Sequence, residues 1–526
     1  MCIRVILRLT ALFGVVAAAP LTAQRPDWPL PDRTVIGDGS VINAVAAVFD
    51  RVYAAGPGGV LVLDPLNRGW TGPYFPPDPS LLSRVRAGLI DPLDRSLWLQ
   101  LNDGWLRFDP LSEFWEVGRA SGPVSQIAFD QDNLAAGLFL RVGASWYQVQ
   151  RGSTFPTPAS PPRHPTVPLT VQELLKQAPG LAGMSGGNLV DPRGRPVQYT
   201  SAAADPTGRG WWIGSSGIGL LFLPVGQVTA ERVPFGLPSP SAAAVVTVPG
   251  GVWVAMDQAA GASPALAFLS SDLKTSKWNE GPMATGLPFR LASKLVVLGR
   301  DLWLGTDLGL LRIDGDGRAE RYDESRGLPD QRVTAVVARG KQVLVGTAHG
   351  LVAVNASGNI VPLGTNYTDR VDAIEALGDT IWIGTMLGAQ VLLPGSDRFI
   401  YPAGLDSAPP YHAPILALGL QGDTLVALNT ERLEWRDPET GGWILGPLLE
   451  SSFGRLHTML PRPGGAFVAG DRAVGYVRFQ TGGSARPLTV PIEIPAAPRD
   501  LAVDDEYLWV ATNRGVVRWR LAAISP

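Results

Sequence analysis

The amino-acid sequence predicts an all-β fold: a β-propeller, as two propellers built from 11–12 four-stranded blades of about 42 residues. Three observations predict it. One five-residue strand signature recurs along the chain at a near-constant step. The segments between copies read as short strands and turns, with one helical exception. Gly (61) and Pro (47) together make about a fifth of the 526 residues. Many short strands joined by tight turns need that supply of turn formers. A period of about 42 residues made of β-type segments is the pattern of propeller blades.

The signature reads LWLGT from Leu302, VLVGT from Val343, IWIGT from Ile381, LVALN from Leu425, AFVAG from Ala466 and LWVAT from Leu508, at steps of 38–44 residues. The first half holds weaker copies: VYAAG from Val52, LWLQL from Leu97, LAAGL from Leu134, WWIGS from Trp211 and VWVAM from Val252. A step of 77 residues separates Leu134 from Trp211, close to two periods, and 50 residues separate Val252 from Leu302. The 50-residue step before Leu302 places a division between two propellers near residue 285, giving an N-terminal unit of 24–285 and a C-terminal unit of 286–526.

Within the best copy four strands are expected. Strand a is the apolar run 291–298, strand b is 302–306, strand c is GLLRID from Gly309, and strand d is AERYD from Ala319. Inner strands are covered on both faces by neighbouring blades and should be continuously apolar, as VTAVVA from Val333 is. The outer strand is edge-like and should carry charge, as AERYD does. Such a unit cannot bury its faces alone, so stability requires stacked neighbours. Six of the sixteen tryptophans share one strand-b position: Trp98, Trp212, Trp253, Trp303, Trp382 and Trp509. They could be stacking platforms for sugar rings, but a fixed position in a repeated buried strand points to packing between blades.

Two segments stand outside the repeat. In residues 1–23, Arg4 and Arg8 precede an apolar run from Leu9 to Ala19, with a small residue at Ala23 before Gln24: a cleaved secretory signal peptide is expected. That run is too short to span a bilayer, which takes about 20 apolar residues. Residues 153–182 form an insertion, in which Thr170 and Glu173 make a capping box for a short helix at 171–178. The one cysteine, Cys2, lies in the signal segment, so no disulfide or thiol chemistry is expected of the mature chain. The formal net charge of −3 supplies no electrostatic footprint for nucleic acid.

Residues 302–337 resemble the two-component regulator propeller repeat: a Leu-Trp-Ile-Gly-Thr strand, two loop residues, Gly-Leu, a basic-aromatic-Asp strand, then Gly-Leu-Pro-Asp before an apolar strand. Residues 343–363 and 381–402 match it well, and 97–110, 211–224 and 508–520 in part. The resemblance implies a sensor-type propeller, often the periplasmic region of a hybrid histidine kinase sensing ligands such as polysaccharide fragments. This chain shows no kinase portion, so a sensing role would need a partner.

No catalytic motif is visible. The histidines His164, His349, His412 and His457 lack metal-ligand spacing, and no nucleophile elbow appears. Asp314-Gly-Asp316-Gly-Arg318 faintly resembles a calcium loop but sits where a hairpin turn is required. No cofactor or metal is expected. In a four-stranded meander the b–c and d–a loops open on one face, and variable loops on a rigid frame are where binding residues sit. The candidate ligand-binding residues are therefore the b–c tips: Asn102, Asp103, Ser216, Asp257, Asp307, His349, Met386, Asn513 and Arg514. The expected function is an exported, periplasmic or cell-surface binding and scaffold protein, with an envelope protein or glycan as partner and no membrane span after signal cleavage. The alternative is a propeller enzyme (a lyase, lactonase or hydrolase) with a channel site.

Overall fold

The computed structural model describes residues 33–524 apart from 38, 67–68, 180, 182–188, 191–195, 234, 240, 259–263, 274–275, 281–288, 366, 403–412, 480–485 and 490–496. The expected signal peptide, His412 and the expected division at 285 lie outside those residues. The described chain is all-β and propeller-like. It forms ten four-stranded antiparallel sheets, one five-stranded sheet and one isolated two-stranded hairpin.

The eleven larger sheets are blades. In chain order they span 44–74, 87–119, 124–166, 199–233, 242–280, 292–322, 333–363, 373–400, 415–448, 456–489 and 498–520. In the first ten, consecutive strands pair as a meander. The eleventh contributes three strands of its own, and its outer position is taken by the N-terminal strand Arg33–Ile36, which pairs Ile36 opposite Val516 and Arg33 opposite Trp519. The sixth blade matches the expected divisions closely: Ala292–Leu298, Asp301–Thr306, Gly309–Ile313 and Ala319–Tyr322.

The recurring signature has a mechanical explanation. Its Thr caps the b–c turn. Thr306 Oγ1 donates to the Gly309 carbonyl at 2.7 Å and accepts from the Leu308 N–H at 3.1 Å. Thr347, Thr385 and Thr512 repeat that bond to Gly350, Gly388 and Gly515. Gly309 holds φ +118°, which side-chain-bearing residues rarely adopt. The other glycine of the signature makes room for the next blade: a Cβ on Gly346 would lie 2.8 Å from Val371 Cγ1. The tryptophans fill the same seams. Trp303 is buried with Tyr322, Val333 and Val336, and Trp98 with Val124, Ile127 and Phe129. Arg312 and Arg107, directly across strand c, cover their rings at 5.4 and 5.7 Å.

Packing order departs from the expected division. The fifth blade, assigned by its sequence position to the N-terminal unit, shares one core with the sixth (Ala244, Leu266, Leu295, Leu304) and another with the eleventh (Val245, Val254, Trp509, Val516). From the fifth to the eleventh, each blade packs on the next and the last packs on the first. The 242–280 blade therefore belongs with the C-terminal set, and the change of unit falls near Gly236–Leu237. There the chain crosses a second time, paired to the first crossing by Gly39 N–H to Leu237 O and Leu237 N–H to Gly37 O, both 2.9 Å. Only glycine allows this approach, since a Cβ on Gly39 would meet the Phe235 carbonyl oxygen at 2.2 Å.

The first four blades form the other set. The first packs on both the second and the fourth, and the second on the third. The remaining face of the fourth blade is covered by the insertion. Its helix Val171–Gln177, with the expected Thr170–Glu173 capping box, buries Leu174 against Ala202, Ile213 and Leu221. One detail differs from expectation: Leu134–Ala136 is a 3-10 turn, and strand b of the third blade is Leu138–Val142. Leu189–Val190 pairs with Pro196–Val197 outside the blades, and Tyr199–Ala204 is strand a of the fourth.

Candidate functional site

The b–c and d–a loops share one face, and one open concavity of about 610 Å³ stands out on it. Ser83, Arg84, Val85 and Arg86 from the d–a connection between the first and second blades form one wall; Asn102 and Asp103, the b–c tip of the second blade, form the other. Two of the nine sequence candidates are thus brought together.

Both walls are held largely through backbone, and Ser83 Oγ donates to the Ser80 carbonyl at 2.6 Å. The 3-10 turn Pro79–Arg84 begins at Asp78, whose carboxylate accepts from the Ser80 N–H at 3.0 Å and is held below the usual range by Ser80 and by the nearby Arg84 charge. Leu82 and Val85 are buried, and Asn43 Nδ2 donates to the Leu82 carbonyl at 3.2 Å. The Arg86 N–H bonds Gln100 O. Across the gap, the Asn102 carbonyl accepts from Val124 N–H and the Asp103 carbonyl from Ala120 N–H. Gln100 Nε2 adds 2.9 Å to the Val124 carbonyl. The tip is therefore tied to its own blade and to the third, while Asn102, Asp103, Arg84 and Arg86 remain exposed.

The other seven candidates lie apart from this concavity. Ser216 Oγ accepts from the Gln198 N–H, and Asn513 Oδ1 from the Ala497 N–H, so both brace their own loops. Asp307 Oδ1 accepts from the N–H groups of Arg290 and Leu291. His349 Nδ1 lies 2.8 Å from Asp330 on an exposed tip. Met386 is an exposed apolar tip and Arg514 an exposed basic one. Asp257 is not a tip at all. It is buried, accepts from the Ala292 N–H at 2.7 Å and pairs with Arg499. A carboxylate buried and joined to two other blades is a clasp, so the ligand-binding expectation for Asp257 is corrected. The d–a residues Ser83–Arg86 were missed because the repeat marks strand b and its Thr-x-x-Gly turn, whereas the d–a connection has no fixed pattern.

Charged groups elsewhere serve other ends. Lys294 Nζ pairs with Asp500 at 2.6 Å on inner strands, near enough to Glu375 to oppose the upward push that burial gives its carboxyl. Glu434 is buried beside Asn429 Nδ2 at 2.6 Å, and burial raises its pKa to about 7. Asp314 Oδ1 accepts from the N–H groups of Asp316 and Arg318, which makes that segment a side-chain-capped turn. Among the described residues no group of three or more His, Cys, Asp or Glu could hold a metal, and no helix is long and apolar enough to cross a membrane.

No family profile matches the chain, and no characterised protein matches it by sequence. Solved structures similar to it include PorZ, a bacterial surface component of the type-IX secretion system of Porphyromonas gingivalis. It is 14% identical over 93% of this chain and 69% of that one, at a TM-score of 0.45. The extracellular domain of a hybrid two-component system of B. thetaiotaomicron is 12% identical over 91% and 70%, also at 0.45. Virginiamycin B lyase of Staphylococcus aureus is 12% identical over 54% of this chain and 96% of its own, at 0.44.

Proposed function

We propose that this chain is an exported binding and scaffold protein made of two β-propellers, which holds its ligand on the b–c/d–a face of the N-terminal one. The larger propeller comprises the seven blades from 242 to 520, closed by the strand Arg33–Ile36. The smaller comprises the four blades from 44 to 233, with the helical insertion in the place of a further blade. Export rests on the n-region, apolar run and small residue at Ala23. The observation that carries the binding role is the Ser83–Arg86/Asn102–Asp103 concavity. It lies on the face where repeat geometry puts variable loops, and its walls are anchored through backbone while Arg84, Arg86, Asn102 and Asp103 stay exposed. The ligand is a glycan or an envelope protein of the same cell.

The test uses the full chain. N-terminal sequencing of the exported protein should begin at Gln24. The purified protein should retain a component of cell-envelope extract or a glycan array, and N102A/D103A should lose it while N513A/R514A keeps it. A protein that stays in the cytoplasm, or retains nothing, would overturn the proposal.

A further inference from the structure

Several arginines of this chain are committed: Arg107 pairs with Asp94 and Glu116, Arg151 with Asp91, Arg312 with Asp301, Arg326 with Glu320, and Arg339 with Asp379. Arg84 and Arg86 differ from these. Both are exposed, both line the concavity described above, and neither forms an ion pair within 4 Å among the described residues. Their spacing is equally specific. Val85 between them is extended, at φ −63° and ψ 139°, and its side chain is buried. The residues on either side of it are exposed and line the concavity, so the wall presents two guanidiniums with a buried apolar anchor between them.

Resting on the reading of this concavity as a ligand site, we infer that it selects a ligand carrying an anionic group, a carboxylate, sulfate or phosphate, which Arg84 and Arg86 grip together. Guanidinium donors meet such oxygens in charge-assisted and often bidentate bonds, which neutral hydroxyls cannot match. The opposite wall has the complementary chemistry. Asp103 accepts, and Asn102 both accepts and donates, which suits hydroxyls and repels a second anionic group. The site thus has a polarity: anionic group toward Arg84 and Arg86, hydroxyl-bearing part toward Asn102 and Asp103.

Isothermal titration of the full chain separates the possibilities. The probes are a glucuronate-containing oligosaccharide, its sulfated form, a neutral oligosaccharide of equal length, and inorganic phosphate alone. The two acidic sugars should bind at least about tenfold tighter than the neutral one. Raising salt should weaken them, as expected for exposed charges. R84A/R86A should lose about tenfold toward the acidic sugars and nothing toward the neutral one, with R84K/R86K recovering part. R455A, an exposed arginine elsewhere, should change nothing. Saturation by phosphate alone would identify a free anion as sufficient. Equal binding of acidic and neutral sugars, or unchanged binding by R84A/R86A while N102A/D103A abolishes it, overturns the anion selectivity and leaves the site standing. Binding that survives N102A/D103A, or no binding by any probe, overturns the site itself.

Discussion

Seams between sequence neighbours and the seam that closes the C-terminal circuit are built differently. Where the sixth blade meets the seventh, or the seventh the eighth, the interior contact is apolar and close: a glycine of one strand b faces Val333 and Val336, or Val371 and Ile374, of the next blade, with polar bonds such as Arg312 to the Ala356 carbonyl and Arg339 to Asp379 beside it. Where the eleventh meets the fifth, polar clasps are added. Asp257 joins Arg499 to the Ala292 N–H, Asp500 accepts from the Val245 N–H and from Lys294, and Arg518 reaches the Ser271 carbonyl. The strand Arg33–Ile36 adds a backbone ladder on the same blade.

Chain connectivity explains the difference. Blades adjacent in sequence are tethered by a short loop, so less is asked of the directional bonds between them. The closing seam joins residues 242–258 positions apart. Going from a separation of one blade to one of that size adds about 1.6 kcal/mol of closure entropy. Directional bonds also select this partner over other apolar blade faces. The two seams lesson is that repetition builds the interior of the circuit, and non-repeated residues close it.

Breaking the closing seam should have the largest effect. Asp257→Ala strands Arg499 and the Ala292 N–H and should cost about 3 kcal/mol in chemical denaturation, since removing one partner of a buried pair leaves the other uncompensated. Asp307→Ala, at the equivalent turn of a consecutive seam, should cost about 1 kcal/mol. Equal losses would show that the closing seam is not special. Gly346→Ala tests the apolar kind. Its Cβ would fall within 2.9 Å of two Val371 atoms, and overpacking of this sort costs about 2 kcal/mol; an unchanged midpoint would mean that the seam can yield.

Glu434 sharpens the contrast, because it is a buried carboxyl of the ninth blade with an amide rather than a cation as its hydrogen-bond partner. Its pKa rises from 4.5 to about 7 on folding. Between those values the folded protein binds the extra proton, so stability falls as pH rises through the window and levels off above it. Relative to wild type, Glu434→Gln should gain about 3 kcal/mol on going from pH 4.5 to pH 8. A pH-independent difference would place the carboxyl in water. The smallest effects belong to the tips: Ser216→Ala and Asn513→Ala should each stay within about 0.5 kcal/mol of wild type.

Most of the blade was legible in the sequence because a repeat displays the same solution many times. LWLGTDLGLLRID marks two strands and the turn between them, and the structure shows why each position is restricted: Trp303 fills a seam, Gly305 admits Val333, Thr306 caps the turn and Gly309 takes a positive φ. The capping box at Thr170 was legible for the same local reason. The site was legible by half. Asn102 and Asp103 sit in a patterned turn, whereas Arg84 and Arg86 sit in an unpatterned connection and meet them only in space.

By itself, then, the sequence determined the all-β class, the four-stranded unit, its approximate number and the loop positions, since all of these follow from local spacing and burial. Tertiary structure decided the rest. It put the 242–280 blade with the C-terminal set, brought Arg33–Ile36 to the far end of the chain, turned Asp257 from a loop tip into a clasp and set two exposed arginines opposite Asn102 and Asp103. These outcomes depend on which faces meet, and short apolar strands that look alike along the chain carry no local signal of their partner.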